Sequence, residues 1–502
     1  MESQPLSVVV LAAGLGKRMQ SRQPKVLHRL AGLPLAAHVL RALAPLSPTH
    51  TVLVVGHGAE QVEDTIGKSY GLDGSLPITY AQQPEQIGTG HAVLMAREAL
   101  RSYHGPVLVL YGDTPLIRTD TLNQLLSRHR QSRPHVTMLS SIVQDPTGYG
   151  RVARDKDQNV LAVVEERNAN MVQRAINEIN SGVYVFESDW LWNSLNALQP
   201  NPVNGEYYLT DLIGMAIKEE RGTGTTSSLA MGARGKRRLL TFTLDGIEET
   251  MGINSRAQLA EAEAIVQGRL RRQWLEAGVT MLAPDTVYLG MDVHLDPDTM
   301  LYPGVILEGT TRIATGCVLG PNTHIISSTV GENCRIVASM LEGSTVERNV
   351  SIGPYSHLRQ GAHLMQGVRL GNFGEVVRST LESNVNMNHF SYVGDATIGE
   401  GTNIGAGTIT ANYDGVKKNR TTVGKNVFLG SDTMLRAPIE VGDGAITGLG
   451  SVVTKDVQPH TMVVGVPARM IRRLEPPAEA GETGETGETG EAAAEPEQEE
   501  EG

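Results

Sequence analysis

Along the chain the spacing of apolar residues changes once, and the change divides the sequence. In the first half, short apolar runs at residues 8–11, 51–55 and 107–110 read as buried parallel strands. They alternate with stretches at helical spacing, such as residues 35–46. Strand–helix–strand alternation predicts a doubly wound α/β sheet with its ligand crevice at the strand carboxyl ends. Residues 255–274 then place Leu259, Ala262, Ile265, Val266 and Leu270 at helical spacing, with Asn254 or Ser255 as cap. That predicts one linking helix about 30 Å long. Beyond it the period is six: Leu307, Ile313, Leu319 and Ile325, then Val346, Ile352, Leu358, Leu364, Leu370 and Val376, then Ile398 and Ile404, then Val423, Leu429, Leu435 and Val441. A six-residue repeat puts one aliphatic side chain inside each flat face of a stacked coil.

Polar clusters stand where the first-half strands end. The first apolar run breaks at Ala12-Ala13-Gly14-Leu15-Gly16, with Lys17, Arg18 and Lys25 close behind. Small residues let the backbone approach a ligand, and exposed N–H groups beside fixed positive charge make an anion site. The dinucleotide fingerprint fails, because its third glycine position is Met19; the P-loop fails, because Arg18 follows Gly16-Lys17. Asp113, in Tyr111-Gly112-Asp113-Thr114-Pro115, sits after another apolar run, where a carboxylate facing phosphates can hold Mg²⁺. Gln83, Gly88 and Thr89 form a further cluster able to read a pyrimidine edge and approach a ribose.

Leu11-Ala12-Ala13-Gly14-x-Gly16-x-Arg18-Met19 followed by Pro24-Lys25 resembles the signature of sugar-1-phosphate nucleotidyltransferases. The resemblance implies that Leu11, Ala12, Ala13, Gly14 and Lys25 wrap the phosphates of UTP. It places uracil and ribose on Gln83, Gly88 and Thr89, beside Tyr111 and Gly112, and Mg²⁺ on Asp113 and Asn254. Thr147–Arg151, Val163–Glu166 and Ile179–Gly182 resemble the segments of N-acetylglucosamine-1-phosphate uridylyltransferases in which Gly150, Glu165 and Asn180 hold the sugar. The chemistry implied is in-line attack of a sugar phosphate on UTP, with Arg18 and Lys25 stabilising the transition state.

The six-residue period resembles the left-handed parallel β-helix of hexapeptide acyltransferases, which commonly form homotrimers. The period is broken between Ile404 and Val423 by the polar stretch Ala411–Arg420, and insertions in solenoids carry binding function. Asn388-His389-Phe390-Ser391-Tyr392 resembles the acetyltransferase site of the bifunctional uridylyltransferase/glucosamine-1-phosphate acetyltransferase family, in which this histidine is the base. The resemblance puts Arg359, Tyr392, Asn403 and Lys418 on the sugar phosphate, and Asn412, Tyr413 and Ser431 on acetyl-CoA. Two positions depart from it. Val377 stands where a phosphate-binding lysine is expected, leaving Arg378 next to it, and Val466 replaces an arginine, leaving Arg469.

Composition narrows the partners. The net charge of −12 comes almost wholly from residues 475–502, with eleven glutamates and no basic residue; no basic tract points to nucleic acid. Two cysteines, Cys317 and Cys334, imply no disulfide framework. No run approaches membrane-spanning length and no signal segment precedes the first strand, so a cytoplasmic protein without membrane insertion is expected. The expected layout is an α/β (Rossmann-like) uridylyltransferase domain over 1–254, a linker helix over 255–278, a left-handed β-helix acetyltransferase over 279–474 and a disordered acidic tail over 475–502. The implied enzyme acetylates glucosamine-1-phosphate from acetyl-CoA, then makes UDP-N-acetylglucosamine from UTP and N-acetylglucosamine-1-phosphate, feeding peptidoglycan and lipopolysaccharide synthesis. The competing reading keeps only the uridylyltransferase and makes the coil a trimerisation scaffold.

Overall fold

Seven strands build the main path of the first sheet: β1 (Ser7–Leu11), β2 (His50–Val55), β3 (Ile78–Gln82), β4 (Pro106–Tyr111), β5 (Val136–Ile142), β8 (Glu178–Glu187) and β9 (Leu239–Asp245), with the hairpin β6 (Arg151–Arg154) and β7 (Val160–Val164) attached to β8. The order is β9-β5-β8-β4-β1-β2-β3. β1 runs parallel to β2 and β4, with Leu11 opposite both Val54 and Tyr111; β8 runs antiparallel between β4 and β5. Both faces are covered. Val8, Val10, Leu53, Leu108 and Leu110 pack with α1 (Leu35–Leu43) on one side. Val9, Leu11, Val52, Val54, Val107 and Val109 pack with α2 (Thr89–Met95) on the other. Continuous apolar runs are what a doubly covered parallel sheet demands.

The computed structural model describes residues 5–69, 76–202, 204–222 and 238–474, so the acidic tail at 475–502 lies outside the described residues. Two units are distinguished, 1–329 and 330–502. In the first unit, α3 (Arg256–Glu276) follows the sheet, with the Ser255 hydroxyl accepting from the Gln258 N–H at its start. Its buried face includes Gln267, whose amide bonds both N–H and C=O of Leu289 at 2.9 and 2.8 Å. Residues 280–329 begin a parallel coil, with Met300 beside Val318 and Ile306 beside His324. The second unit repeats this geometry. Ser351 pairs with Arg369, eighteen residues on, and two further ladders run through His357–Glu375–Tyr392 and His363–Thr380–Thr397. The period-six residues are all buried inside the turns. The architecture is a Rossmann-like α/β sheet followed by a left-handed parallel β-helix.

Candidate active sites

Because β1, β2 and β4 are parallel and in register, the segments that follow them open at one edge. There they line a cavity of about 430 Å³ that gathers Leu11, Ala12, Ala13, Gly14, Lys25, Gln83, Gly88, Thr89, Tyr111, Asp113, Gly150, Glu165, Asn180 and Asn254. Gly112 is buried behind Asp113 and does not line the cavity, and Arg18 stands exposed outside it.

One wall of the cavity holds a cation between two oxygens. The Lys25 ammonium donates to Asp113 Oδ2 and, at 3.0 Å, to Asn254 Oδ1. The Lys25 and Asp113 side chains are only 12% and 14% exposed. The Ile253 N–H donates to the Asp113 carbonyl at 2.8 Å, which fixes the two segments together. A carboxylate and an amide oxygen converging on one positive centre suit a hard divalent ion that completes its shell with phosphate and water. Among the described residues no group of three or more His, Cys, Asp or Glu could hold a metal.

The sugar side is built on burial. Burial raises the Glu165 carboxyl above the usual glutamate range, while the Thr210 hydroxyl, donating to Oε1 at 2.9 Å, pulls it back. The Tyr111 phenol is raised by burial and by the charges of Glu165 and Asp113, and Gly182 (φ +79°) has no room for a Cβ, which would sit 2.1 Å from its ring. The Asn180 side chain bonds the Tyr184 hydroxyl and accepts from the Gly182 N–H. Two of the residues expected at the nucleotide also have partners within the protein. Gly88 (φ +114°) lines the cavity and is also packed against protein: a Cβ would lie 2.4 Å from the Tyr207 carbonyl oxygen. The Thr89 hydroxyl accepts from the Leu209 N–H at 3.0 Å and is bonded to Tyr111, so it braces the pocket wall. Tyr149 carries a link that its motif gave no reason to single out. Its hydroxyl accepts from the Gly252 N–H at 3.3 Å, joining the sugar loop to the segment bearing Asn254.

On the coil, three strands carry the second set: β10 (Gly374–Val377), β11 (Ser391–Gly394) and β12 (Ile409–Ala411). Arg378 makes a two-pronged pair with Asp395 at 2.6 and 2.8 Å. Asn412 Nδ2 donates to the same carboxylate at 2.5 Å and to the Tyr392 hydroxyl at 3.4 Å. Asp395 is held below the usual carboxylate range, first by the Arg378 hydrogen bonds, with Asn412 and the charge of Lys418 contributing. Tyr413 pairs with Lys418 across the inserted loop, and Arg359 donates to Glu375 at 2.9 Å. His389 is exposed in the turn before β11, at the end of that strand away from Asp395. Ser431 belongs to the same corner as His389, where Gly407 bonds Phe390 and Asp432 bonds Ala406 through the backbone. Asn403 pairs with Asn386 in the adjoining sheet. The described chain thus joins Tyr392, Asn412, Lys418 and Arg378, and sets His389 and Ser431 apart from them.

The departure at Val377 changes meaning. Val377 is buried, 3% exposed, beside the interior residue Val376 and opposite Gly394, and Arg378 next to it is the exposed cation. Val466 is 72% exposed in the turn before the last strand, and Arg469 donates there to the Ala468 carbonyl.

A transferase acting on nucleotides, followed by an acyltransferase of the hexapeptide-repeat kind, is the class that this pair of architectures defines. A MobA-like NTP transferase domain matches residues 8–178, and a hexapeptide repeat of succinyl-transferase matches residues 420–455. Relatives named bifunctional protein GlmU match nearly end to end. That of Heliobacterium modesticaldum is 44% identical over 91% of this chain and 95% of its own; that of Exiguobacterium sp. is 41% identical over 91% and 96%. The relative from Syntrophomonas wolfei is 40% identical over 91% and 97%. Among solved structures, a Bacillus anthracis chain described as a glucose-1-phosphate thymidylyltransferase in complex with a sucrose aligns at 17% identity and TM-score 0.41, over 52% of this chain and 94% of its own, too slight a likeness to carry an argument. This chain belongs to the GlmU family of bifunctional proteins. It is a two-activity transferase, a uridylyltransferase and an acetyltransferase.

Proposed function

We propose that the two transfers use separate sites of one chain, acetyl-CoA to glucosamine-1-phosphate on the coil (279–474) and UTP to N-acetylglucosamine-1-phosphate in the α/β cleft (1–254), with 255–278 as linker. The observation that carries the reading is the gathering of Lys25, Asp113, Asn254, Glu165 and Asn180 in one cavity. In the cleft, Gln83 and Gly88 present the pyrimidine and the 11–14 turn takes the phosphates. Glu165 and Asn180 orient the sugar so that its phosphate oxygen meets the α-phosphorus in line, and pyrophosphate leaves. Mg²⁺ on Asp113 and Asn254 would neutralise phosphate charge. Lys25 and the exposed Arg18 stabilise the charge that builds on the leaving group.

On the coil, His389 takes the proton of the sugar amine as its nitrogen attacks the thioester carbon. A C–N bond forms, the C–S bond breaks, and the CoA sulfur leaves as a thiol once protonated. Arg359, Tyr392, Asn403 and Lys418 hold the sugar phosphate, with Arg378 beside them; Asn412, Tyr413 and Ser431 hold acetyl-CoA. His389 and Asp395 flank β11, four residues or about 13 Å of strand, which supports a homotrimer whose neighbouring chains complete each site. No helix among the described residues is long and apolar enough to cross a membrane, and UTP and acetyl-CoA are intracellular metabolites, which supports a cytoplasmic location. The scaffold-only reading of the coil drew on Val377, which cannot bind phosphate; the exposed Arg378 beside it supplies the cation in the two-activity reading.

The test is a crossed pair of assays. In His389→Ala, acetyl-CoA-dependent thiol release should fall by about 10²-fold or more while UTP-dependent pyrophosphate release persists. Asp113→Ala should do the reverse. Wild-type protein without thiol release, but with intact uridylyl transfer, refutes the coil site.

A further inference from the structure

We infer that Lys25 is a removable plug in the metal site: its ammonium occupies Asp113 Oδ2 and Asn254 Oδ1, and nucleotide phosphate is what draws it away. The inference rests on the metal and phosphate roles proposed above for these residues.

The two oxygens that Lys25 engages are the two that would bind the divalent ion. An ammonium seated on both leaves a metal only Asp113 Oδ1, and two cations that close repel strongly in a site screened from water. Nor is Asp113 left bare, since a carboxylate with so little exposure requires a counter-charge. Lys25 and a metal therefore compete for the carboxylate. Lys25 leads the short turn Lys25–Leu27, directly after Pro24, and its side chain lines the same cavity as the phosphate-wrapping residues 11–14. Phosphate oxygens arriving there offer the ammonium a second set of acceptors within reach of its flexible stem. Moving to them frees both metal oxygens in one step. Metal affinity without nucleotide is then reduced by the fraction of molecules in which Lys25 is bound to Asp113. Metal loading becomes conditional on nucleotide.

Mn²⁺ is the probe, with binding to the full-length, nucleotide-free protein read by the electron paramagnetic resonance signal of the free ion. Lys25→Met should bind Mn²⁺ about tenfold tighter than wild type. Lys25→Arg, which keeps a cation at the position, should stay as weak as wild type. Adding Asp113→Asn to Lys25→Met should abolish the gain. If Lys25→Met unfolds by circular dichroism, Lys25→Gln takes its place. A gain below about threefold, with nucleotide-dependent Mn²⁺ binding still lost in Asp113→Asn, overturns the plug and leaves the metal assignment standing. Nucleotide-dependent Mn²⁺ binding that is unchanged in Asp113→Asn overturns the metal assignment and the plug together.

Discussion

Glu165 holds two opposed influences on one carboxyl. Burial favours its neutral form, and the Thr210 hydroxyl favours the charged form that accepts most strongly from a sugar hydroxyl. With the folded pKa raised, ionised Glu165 lowers folding stability; this penalty is absent below the ordinary glutamate pKa and complete above the raised one. Thr210→Val removes the hydroxyl, so the acid limb of the pH profile for kcat/KM should move to higher pH. KM for N-acetylglucosamine-1-phosphate should rise about tenfold at the acid end, while KM for UTP holds; an unmoved acid limb refutes the role. At this scale the sequence exposed residue types better than directions. Spacing and motif named fourteen residues that line one cavity, yet Val377 was taken for an outward position. It is buried opposite Gly394 of the next turn, a glycine whose Cβ would lie 2.4 Å from the Tyr392 hydroxyl and 2.7 Å from Asn412 Nδ2. Such a fit between adjacent turns of the coil is invisible to a pattern read along one strand.

Among the elements, apolar spacing located α1 and α3 but not where they end or what they bury. The helical spacing of residues 35–46 continues past α1, whose α-geometry stops at Leu43; a 3-10 turn containing Pro45 follows. Proline clashes with a continuing α-helix, which accounts for the stop. On α3 the buried Gln267 interrupts the apolar face because it satisfies the backbone of Leu289 in both directions, a partner set by the tertiary fold. The inserted loop of the coil is organised by Asp414, which accepts from the Val416 and Lys417 N–H groups and from Asn419 at 2.8–2.9 Å. These bonds bring its carboxyl down to about 2. It therefore stays ionised throughout the working pH range, and the loop should keep its shape down to strongly acid conditions. Asp414→Ala should speed amide exchange across residues 412–420 and lower thiol release about tenfold, with pyrophosphate release unaffected. Unchanged exchange would refute the organising role.

For the whole molecule, the two architectures respond to damage separately. Leu364 is fully buried inside its turn, and Leu364→Ala should cost about 2–5 kcal/mol of local stability. Heat inactivation of the acetyl transfer should then begin at a lower temperature, while that of the uridylyl transfer stays put. Equal shifts in both would refute their independence. The change of period at the linking helix marks where strand–helix repeats give way to six-residue ones, which bury side chains by different rules; the two compact units divide later, at 329/330, inside the coil. What the sequence could not supply was the separation of His389 from Arg378 and Asn412, because corner placement depends on how each turn stacks on the last.

Phe428 pairs with Asn403, twenty-five residues back, and the same step recurs where Thr421 follows Ala396 and Met434 follows Ile409, whereas most rungs pair at seventeen or eighteen. The surplus is absorbed at a corner, and the ladder resumes in step. Corners of this coil therefore act as neutral ground for the genome: residues can be added there without renegotiating the interior. An enzyme built this way can acquire or retune a chemical function by lengthening a corner, while the fold on either side keeps its count.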